Sequence, residues 1–158
     1  MRKRIIGQAT SQEADLPDKW LDLEHIAEVE VSSEDLGFPI ESALKLENGG
    51  KVWRAAVPGE QLIRLIFDPP TAVRRIRLQF DEAQTVRTQE FVLRWSSKRN
   101  EPLREIVRQQ WNFSPNGSTS EVEDYQVNLG AVGILELAIQ PDISGGNSRA
   151  VLTAWRVA

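Results

Sequence analysis

The chain has 158 residues, no cysteine, one histidine, and 23 acidic against 19 basic side chains, for a formal net charge of −4. That length suits one domain able to bury roughly 70% of its unfolded surface, and the missing cysteine excludes disulfides and thiolate metal sites. Mild acidity argues against a general affinity for nucleic acid, and no apolar run approaches the ~20 residues of a membrane-spanning helix.

Met1 to Arg4 is basic, but only Ile5 and Ile6 follow before Gly7 and a polar stretch. The apolar core of a secretory signal, about 7–15 residues, is missing. The expectation is a cytoplasmic chain with no membrane attachment. Residues 1–15 are polar and read as loosely ordered. Leu16 to His25 reads as a short helix or irregular hook, with Trp20, Leu21 and Leu23 docking on a sheet. Residues 1–25 are thus an N-terminal extension docking on the domain formed by 26–158.

Ala27 to Ser32 is the first clean strand: Val29 and Val31 face one way, Glu28 and Glu30 the other. Pro39 to Leu44 predicts one helical turn, because proline suits a first helical position. Asn48-Gly49-Gly50 predicts a turn, and Lys51 to Ala55 a short strand carrying Trp53.

From Gln61 onward, short runs alternate apolar and polar residues, with a turn signal between most runs. Gln61–Phe67 and Val73–Phe80 are joined by Asp68-Pro69-Pro70-Thr71, where two prolines forbid continued pairing. Thr88–Trp95 follows, then Leu103–Phe113, the Ser114-Pro115-Asn116-Gly117 turn and Glu121–Leu129. Leu135, Leu137 and Ile139 form the next inward set. Arg149–Val157 is the last strand, and Trp155 and Val157 so near the C-terminus are best explained by its insertion in the middle of a sheet. Eight or nine such strands, with no helical run between them, predict an all-β fold: an antiparallel sandwich or barrel.

The chemistry is sparser. His25, a lone histidine beside an apolar patch, reads as structural or solvated, since acid–base work needs a positioned partner. One histidine and no cysteine leave no nitrogen- or sulfur-ligated zinc site. No nucleophile elbow, phosphate loop or dinucleotide fingerprint is present. Glu28, Glu30, Glu121, Glu123 and Asp124 read as solvated strand faces, so a two-carboxylate glycosidase is the weakest reading. Arg75 and Arg77 share a polar face with cross-strand carboxylates such as Glu90. Trp95, Trp155 and Trp53 read as core. Trp111, next to Asn112 and a Pro-Asn-Gly turn, either packs inward with Phe113 or stacks on a sugar ring, with Asn112 as polar partner. Arg54 either joins that site or pairs with Glu34 or Asp35.

Several segments in order carry a resemblance: Val29 to Asp35, Pro39 to Leu44, Trp53-Arg54-Ala55, Phe67 to Pro70, Asn112 to Pro115, Pro141-Asp142-Ile143 and Leu152 to Val157. Over about Ala27 to Val157 the sequence resembles the galactose-binding-domain-like superfamily. That superfamily includes discoidin or coagulation-factor type C modules and many carbohydrate-binding modules. The resemblance implies an eight-stranded jelly-roll sandwich with its ligand site on the loops at one end, and no chemistry of its own. Many members hold a structural calcium between the loop before the Trp53-like position and a last-strand carboxylate. Here that loop, Leu46 to Gly50, lacks aspartates, and Ala154 stands at the carboxylate position. No metal ligand, cofactor or catalytic residue is assigned. The function read from these observations is a non-catalytic binding module with carbohydrate as the leading ligand class and Trp111, Asn112 and Arg54 as candidate contacts. The alternative is a cytoplasmic protein–protein interaction domain. Neither nucleic acid nor membrane is an expected partner, and the oligomeric state stays open.

Overall fold

The computed structural model describes residues 20–158. Among the described residues helix is confined to two single turns, α1 (Leu23–Ile26) and α2 (Ile40–Leu44). The strands are β1 (Ala27–Val31), β2 (Trp53–Arg54), β3 (Gln61–Asp81), β4 (Arg87–Ser96), β5 (Arg104–Phe113), β6 (Ser120–Gln140), β7 (Val151–Leu152) and β8 (Ala154–Val157). The expected loose order of residues 1–15, and residues 16–19 of the expected hook, lie outside the described residues. Among the described residues that follow, Leu23–Ile26 is helical.

Every pairing is antiparallel, and the main order is β1-β3-β6-β4-β5, with β8 on β3 and β2 on β7. Two strands of 21 residues, β3 and β6, organise the molecule. Gln61–Ile66 pairs with Ile134–Ile139. The register then shifts three times before Arg75, and the pair resumes to Asp81 and Ser120. The first half of β3 also pairs with β1, the second half with β8. Each long strand therefore bends from one layer of the sandwich into the other. This corrects two expectations. Asp68 to Thr71 does not separate two strands, because the prolines break the ladder where the chain changes layer without reversing. Likewise, the runs at Glu121–Leu129 and Leu135–Ile139 belong to one strand. At the bend of β6, a Cβ on Gly133 would lie 2.5 Å from the Ser97 carbonyl oxygen, so only glycine admits this approach.

Period-two patterning fills the space between the layers. Ile63, Leu65, Phe91, Leu93, Leu135, Leu137 and Ile139 point inward from one layer, and Ile76, Leu78, Phe80, Trp155 and Val157 from the other; all are fully buried. Phe80 and Phe91 stack across the gap with centroids 5.4 Å apart, and Tyr125 meets Phe91 edge-on at 6.5 Å. Such aromatic pairs add about 0.5–1.5 kcal/mol beyond their buried area.

The last strand differs from expectation. Thr153 interrupts it, and β8 pairs with β3 alone among the strands, so it lies at the end of its layer. Trp155 is buried there because α2 packs on β8. The Leu21 amide donates to the Val157 carbonyl at 2.8 Å, and the Trp20 ring lies 4.7 Å from the Arg75 guanidinium carbon. Arg75 pairs with Asp124 at 2.6 Å, whereas Glu90 meets Arg108 at 3.4 Å, so Glu90 is not the partner of that arginine face.

Candidate functional site

The strand registers collect four connections at one end of the sandwich. Val31 opposes Ile63, Ile139 opposes Gln61, Gln140 opposes Glu90, Phe113 opposes Arg87, and Asp81 opposes Ser120. The segments after β1, β3, β5 and β6 therefore emerge together. Backbone hydrogen bonds tie the last of these, residues 141–150, to the segment before β3, through Ala55 N–H to Ala150 O (2.9 Å) and Gly59 N–H to Ser148 O (3.4 Å), and to the start of β4, through Ile143 N–H to Thr88 O (2.9 Å).

A groove of about 540 Å³ opens at this end, with Phe38, Pro39, Ser42 and Lys45 on one side and Glu47, Asn48, Lys51 and Val52 on the other. Local chemistry fixes its walls. Glu34 Oε1 accepts the Ile40 amide at 3.1 Å and so anchors the start of α2, where Pro39 is the cap residue just before the first helical position. Gly49 and Gly50 have positive φ, 62° and 80°, which closes the opposite turn. The Trp53 indole N–H donates to Ser33 O at 3.1 Å. At the lip, Arg54 donates twice to Asp35 Oδ2, from Nε at 3.0 Å and Nη2 at 2.6 Å, while its guanidinium carbon sits 4.1 Å from the Phe38 ring centroid. Arg149 Nη1 reaches the same oxygen at 3.4 Å. Hydrogen bonding from Arg54 leads the effects that hold the Asp35 carboxyl below the usual carboxylate range.

The three expected contacts are not gathered into one cluster. Trp111 is half-buried, packs on the core with its strand, and donates its indole N–H to Ser118 Oγ at 3.0 Å. Asn112 is exposed on the opposite face of β5 and accepts the Thr88 hydroxyl at 2.6 Å. Among the described residues, no hydrogen bond or ring contact joins either to Arg54. The 141–150 segment stands between them, reaching Asp35 through Arg149 and Thr88 through the Ile143 amide.

The loop before Trp53 does not fit a structural calcium, which needs six to eight oxygen ligands. Among the described residues no three His, Cys, Asp or Glu side chains form a metal-holding group. The Asn48 amide is engaged within the protein at both atoms: Oδ1 accepts the Gly50 N–H at 3.0 Å, and Nδ2 donates to the Thr153 carbonyl at 3.1 Å. This second bond ties the loop to Thr153, between β7 and β8. Asn48→Ala is therefore expected to destabilise the protein by about 1 kcal/mol, while a chelator or millimolar calcium leaves the wild-type melting temperature unchanged. A calcium-dependent melt would overturn this account.

The buried polar residues under this end were not legible as such. Glu121, expected on a solvated face, has 0% exposure. It shares the inward parity of Tyr125, Val127 and Leu129, and that parity was the available signal. Arg87 is also buried. Its Nε donates to Glu82 (2.9 Å), and its Nη1 to Gln89 Oε1 (3.2 Å) and the Pro141 carbonyl (2.7 Å), with the Phe113 ring 4.7 Å away. Gln89 in turn donates to Glu121 Oε1 at 3.1 Å. Burial first, then repulsion from Glu123, pushes the Glu121 carboxyl from 4.5 up to about 7. That value would suit an acid catalyst, but a side chain enclosed between two sheets cannot reach a substrate. His25 is exposed and paired only with Asp22, at 2.7 Å.

No family model and no curated protein matches the sequence. Solved structures do. A family 32 carbohydrate-binding module from a family 31 glycoside hydrolase of Clostridium perfringens superposes with a TM-score of 0.64 at 14% identity, covering 89% of this chain and 94% of that one. The family 32 module of NanJ from C. perfringens, in complex with galactose, gives 0.62 at 12% identity over 87% and 96%. The family 32 module of AlyQ, in complex with 4,5-unsaturated mannuronic acid, gives 0.57 at 20% identity over 84% and 95%. The chain has the antiparallel jelly-roll β-sandwich fold of these modules.

Proposed function

We propose that the chain is a non-catalytic carbohydrate-binding module whose ligand enters at the loop end beside Arg54. The observation that carries this reading is the groove itself. It is a concave site with an aromatic wall at Phe38 and a fixed guanidinium–carboxylate pair, Arg54 and Asp35, at its lip. Sugars present apolar ring faces edged by hydroxyls, and a site with one aromatic surface and a few aimed polar groups matches that surface. The placement of Trp111 and Asn112 makes them at most a second contact area, on the far side of the 141–150 segment. The likeness to sugar-complexed modules adds a precedent for the fold in this role. Carboxylate catalysis has no support from the geometry, since among the described residues the one carboxyl raised toward neutrality is inside the core.

Calorimetric titration of the purified chain with neutral and acidic oligosaccharides tests the reading. Saturable binding that Arg54→Ala weakens about tenfold, the value of one charge-assisted contact, is expected. An absence of binding across both sugar classes would overturn it.

A further inference from the structure

The layer formed by β8, the second half of β3 and the first half of β6 carries on its outer face an arginine pair that the fold does not neutralise. Ile76 and Leu78 of β3 point inward, as do Trp155 and Val157 of β8, and all four are fully buried. Arg77 and Arg156, one between each pair, therefore point outward. The register sets them directly opposite one another on neighbouring strands. Side chains so placed have Cβ atoms about 4.5–5.5 Å apart, and like charges there repel.

On its other side Arg77 stands opposite Asp124. That carboxylate is forked onto Arg75 instead, which donates from Nε at 2.9 Å and from Nη2 at 2.6 Å. Among the described residues Arg77 has no hydrogen bond or ion pair, and Arg156 has no carboxylate partner. Arg156 is held in place: its Nη1 donates to the Ala43 carbonyl of α2 at 2.9 Å and to the Trp155 carbonyl at 3.1 Å. Its Nε and Nη2 stay open. Burial first, then repulsion from Arg77, pulls the Arg156 guanidinium below its usual range. The outer face of the other layer shows what a self-neutralised arginine face looks like in this chain. There Arg64 and Arg94 meet Glu136, and Arg108 meets Glu90 and Glu105. In a chain of net charge −4, two facing guanidiniums without a carboxylate break a local rule, and such breaks mark functional positions.

The donor set selects the ligand. Two guanidiniums on separate strands offer more N–H groups than the two oxygens of a planar carboxylate can engage from one side, whereas a tetrahedral oxoanion turns an oxygen toward each fork. We infer that Arg77 and Arg156 form a binding site for a tetrahedral oxoanion, a phosphate or sulfate group, free or as the ester head of a larger ligand. Arg156, fixed by Ala43, is the rigid half of the site, and exposed Arg77 completes it. Neither residue lines the groove beside α2, so the inference does not depend on the carbohydrate reading.

The test uses thermal melts and NMR of the arginine Nε–H groups of the intact chain. The probes are inorganic phosphate, sulfate and glucose 6-phosphate, each compared with chloride and acetate at matched ionic strength. At about ten times its dissociation constant, phosphate or sulfate is expected to raise the melting temperature by about 3 °C over chloride. The Nε–H signals of Arg77 and Arg156 should shift saturably over the same range. Glucose 6-phosphate binding tighter than inorganic phosphate assigns the site to an esterified ligand, and the reverse order assigns it to the free anion; both support the inference. Arg77→Gln removes the repulsion and half of the site, so it should melt higher than the wild type in chloride and lose the phosphate increment. Arg156→Gln also loses two carbonyl contacts, so Arg77 carries the mutational test. Equal effects of chloride, acetate and phosphate would overturn the inference in favour of ionic screening. A phosphate increment that survives in Arg77→Gln would overturn it as well.

Discussion

Replacing Glu121 by glutamine is expected to stabilise the fold above pH 7 and to leave it nearly unchanged below pH 4.5. The carboxyl is raised from 4.5 to about 7 in the folded protein. Between those values an unfolded chain has released the proton that the folded chain retains. The folded state therefore binds more protons, and stability falls as pH rises through this window. Below it both states are protonated and the residue is neutral to the balance; above it both are ionised and the full penalty persists. Each unit of displacement is worth about 1.4 kcal/mol, which puts the penalty at about 3 kcal/mol at most. The groups facing Glu121 account for the sign. Burial and the neighbouring Glu123 oppose ionisation, while Gln89 and Arg87 favour it too weakly to compensate. Glutamine keeps the oxygen that accepts from Gln89 and discards the charge. Thermal melts from pH 4 to 9 should show the two proteins converging in acid and separating by about 5–10 °C in base, given roughly 2–4 °C per kcal/mol for a chain of this size. A difference in melting temperature that does not vary with pH would sink this account. Carboxylates held low, such as Glu82 and Asp142, contribute with the opposite sign in acid. They are common to both proteins, so the comparison cancels them.

The strands were legible because their pattern is local. Ile63, Leu65 and Phe67, or Phe91 and Leu93, declare their shared face within a few residues, and the structure buries each set. What the pattern does not carry is whether a proline-marked break reverses the chain. At Pro69-Pro70 it does not, and two apparent strands are one. Glu121 and Glu123 expose a different limit. Their parity matched Tyr125 and Val127, but charge argued for solvent, and only a buried partner such as Gln89 makes the inward position tolerable. The candidate site was the least readable part, because its pairs are distant in sequence: Arg54 meets Asp35 across 19 positions, and Arg149 meets it across 114. Arg54 was legible as a candidate, with Asp35 among its possible partners. Arg149 carried no signal at all, since nothing near it in sequence marks a lip residue. Trp111 had two readings, packed inward with its strand or stacked on a sugar beside the turn, and the alternation of β5 turns it toward the core.

Arg87→Ala is the substitution expected to cost most. The side chain is fully buried and tied to Glu82, Gln89 and the Pro141 carbonyl, with Phe113 beneath it. Truncation leaves a void, an unpaired carbonyl and an unpaired Gln89 oxygen. It also removes the positive charge that limits the rise of the Glu121 carboxyl. Breaking a buried charged network from one side costs about 3–5 kcal/mol. The effect should not be uniform, because Arg87 joins the segment after β3 to the segment after β6 directly beneath the loop end. Hydrogen exchange is expected to speed up first at the Ile143 amide, which bonds Thr88 next to Arg87, and at the Glu82 amide, which bonds Thr119. Coupling to Glu121 gives the sharper check. At pH 8, Glu121→Gln should recover part of the loss in the Arg87→Ala background, because the variant then buries neither a lone carboxylate nor its repulsion with Glu123. At pH 4.5 the same second substitution should recover almost nothing. A double-mutant cycle with no pH dependence, or a single-variant loss below about 1 kcal/mol, would mean that the guanidinium and the buried carboxyl do not act on one another. The loop end would then be held by its backbone hydrogen bonds alone.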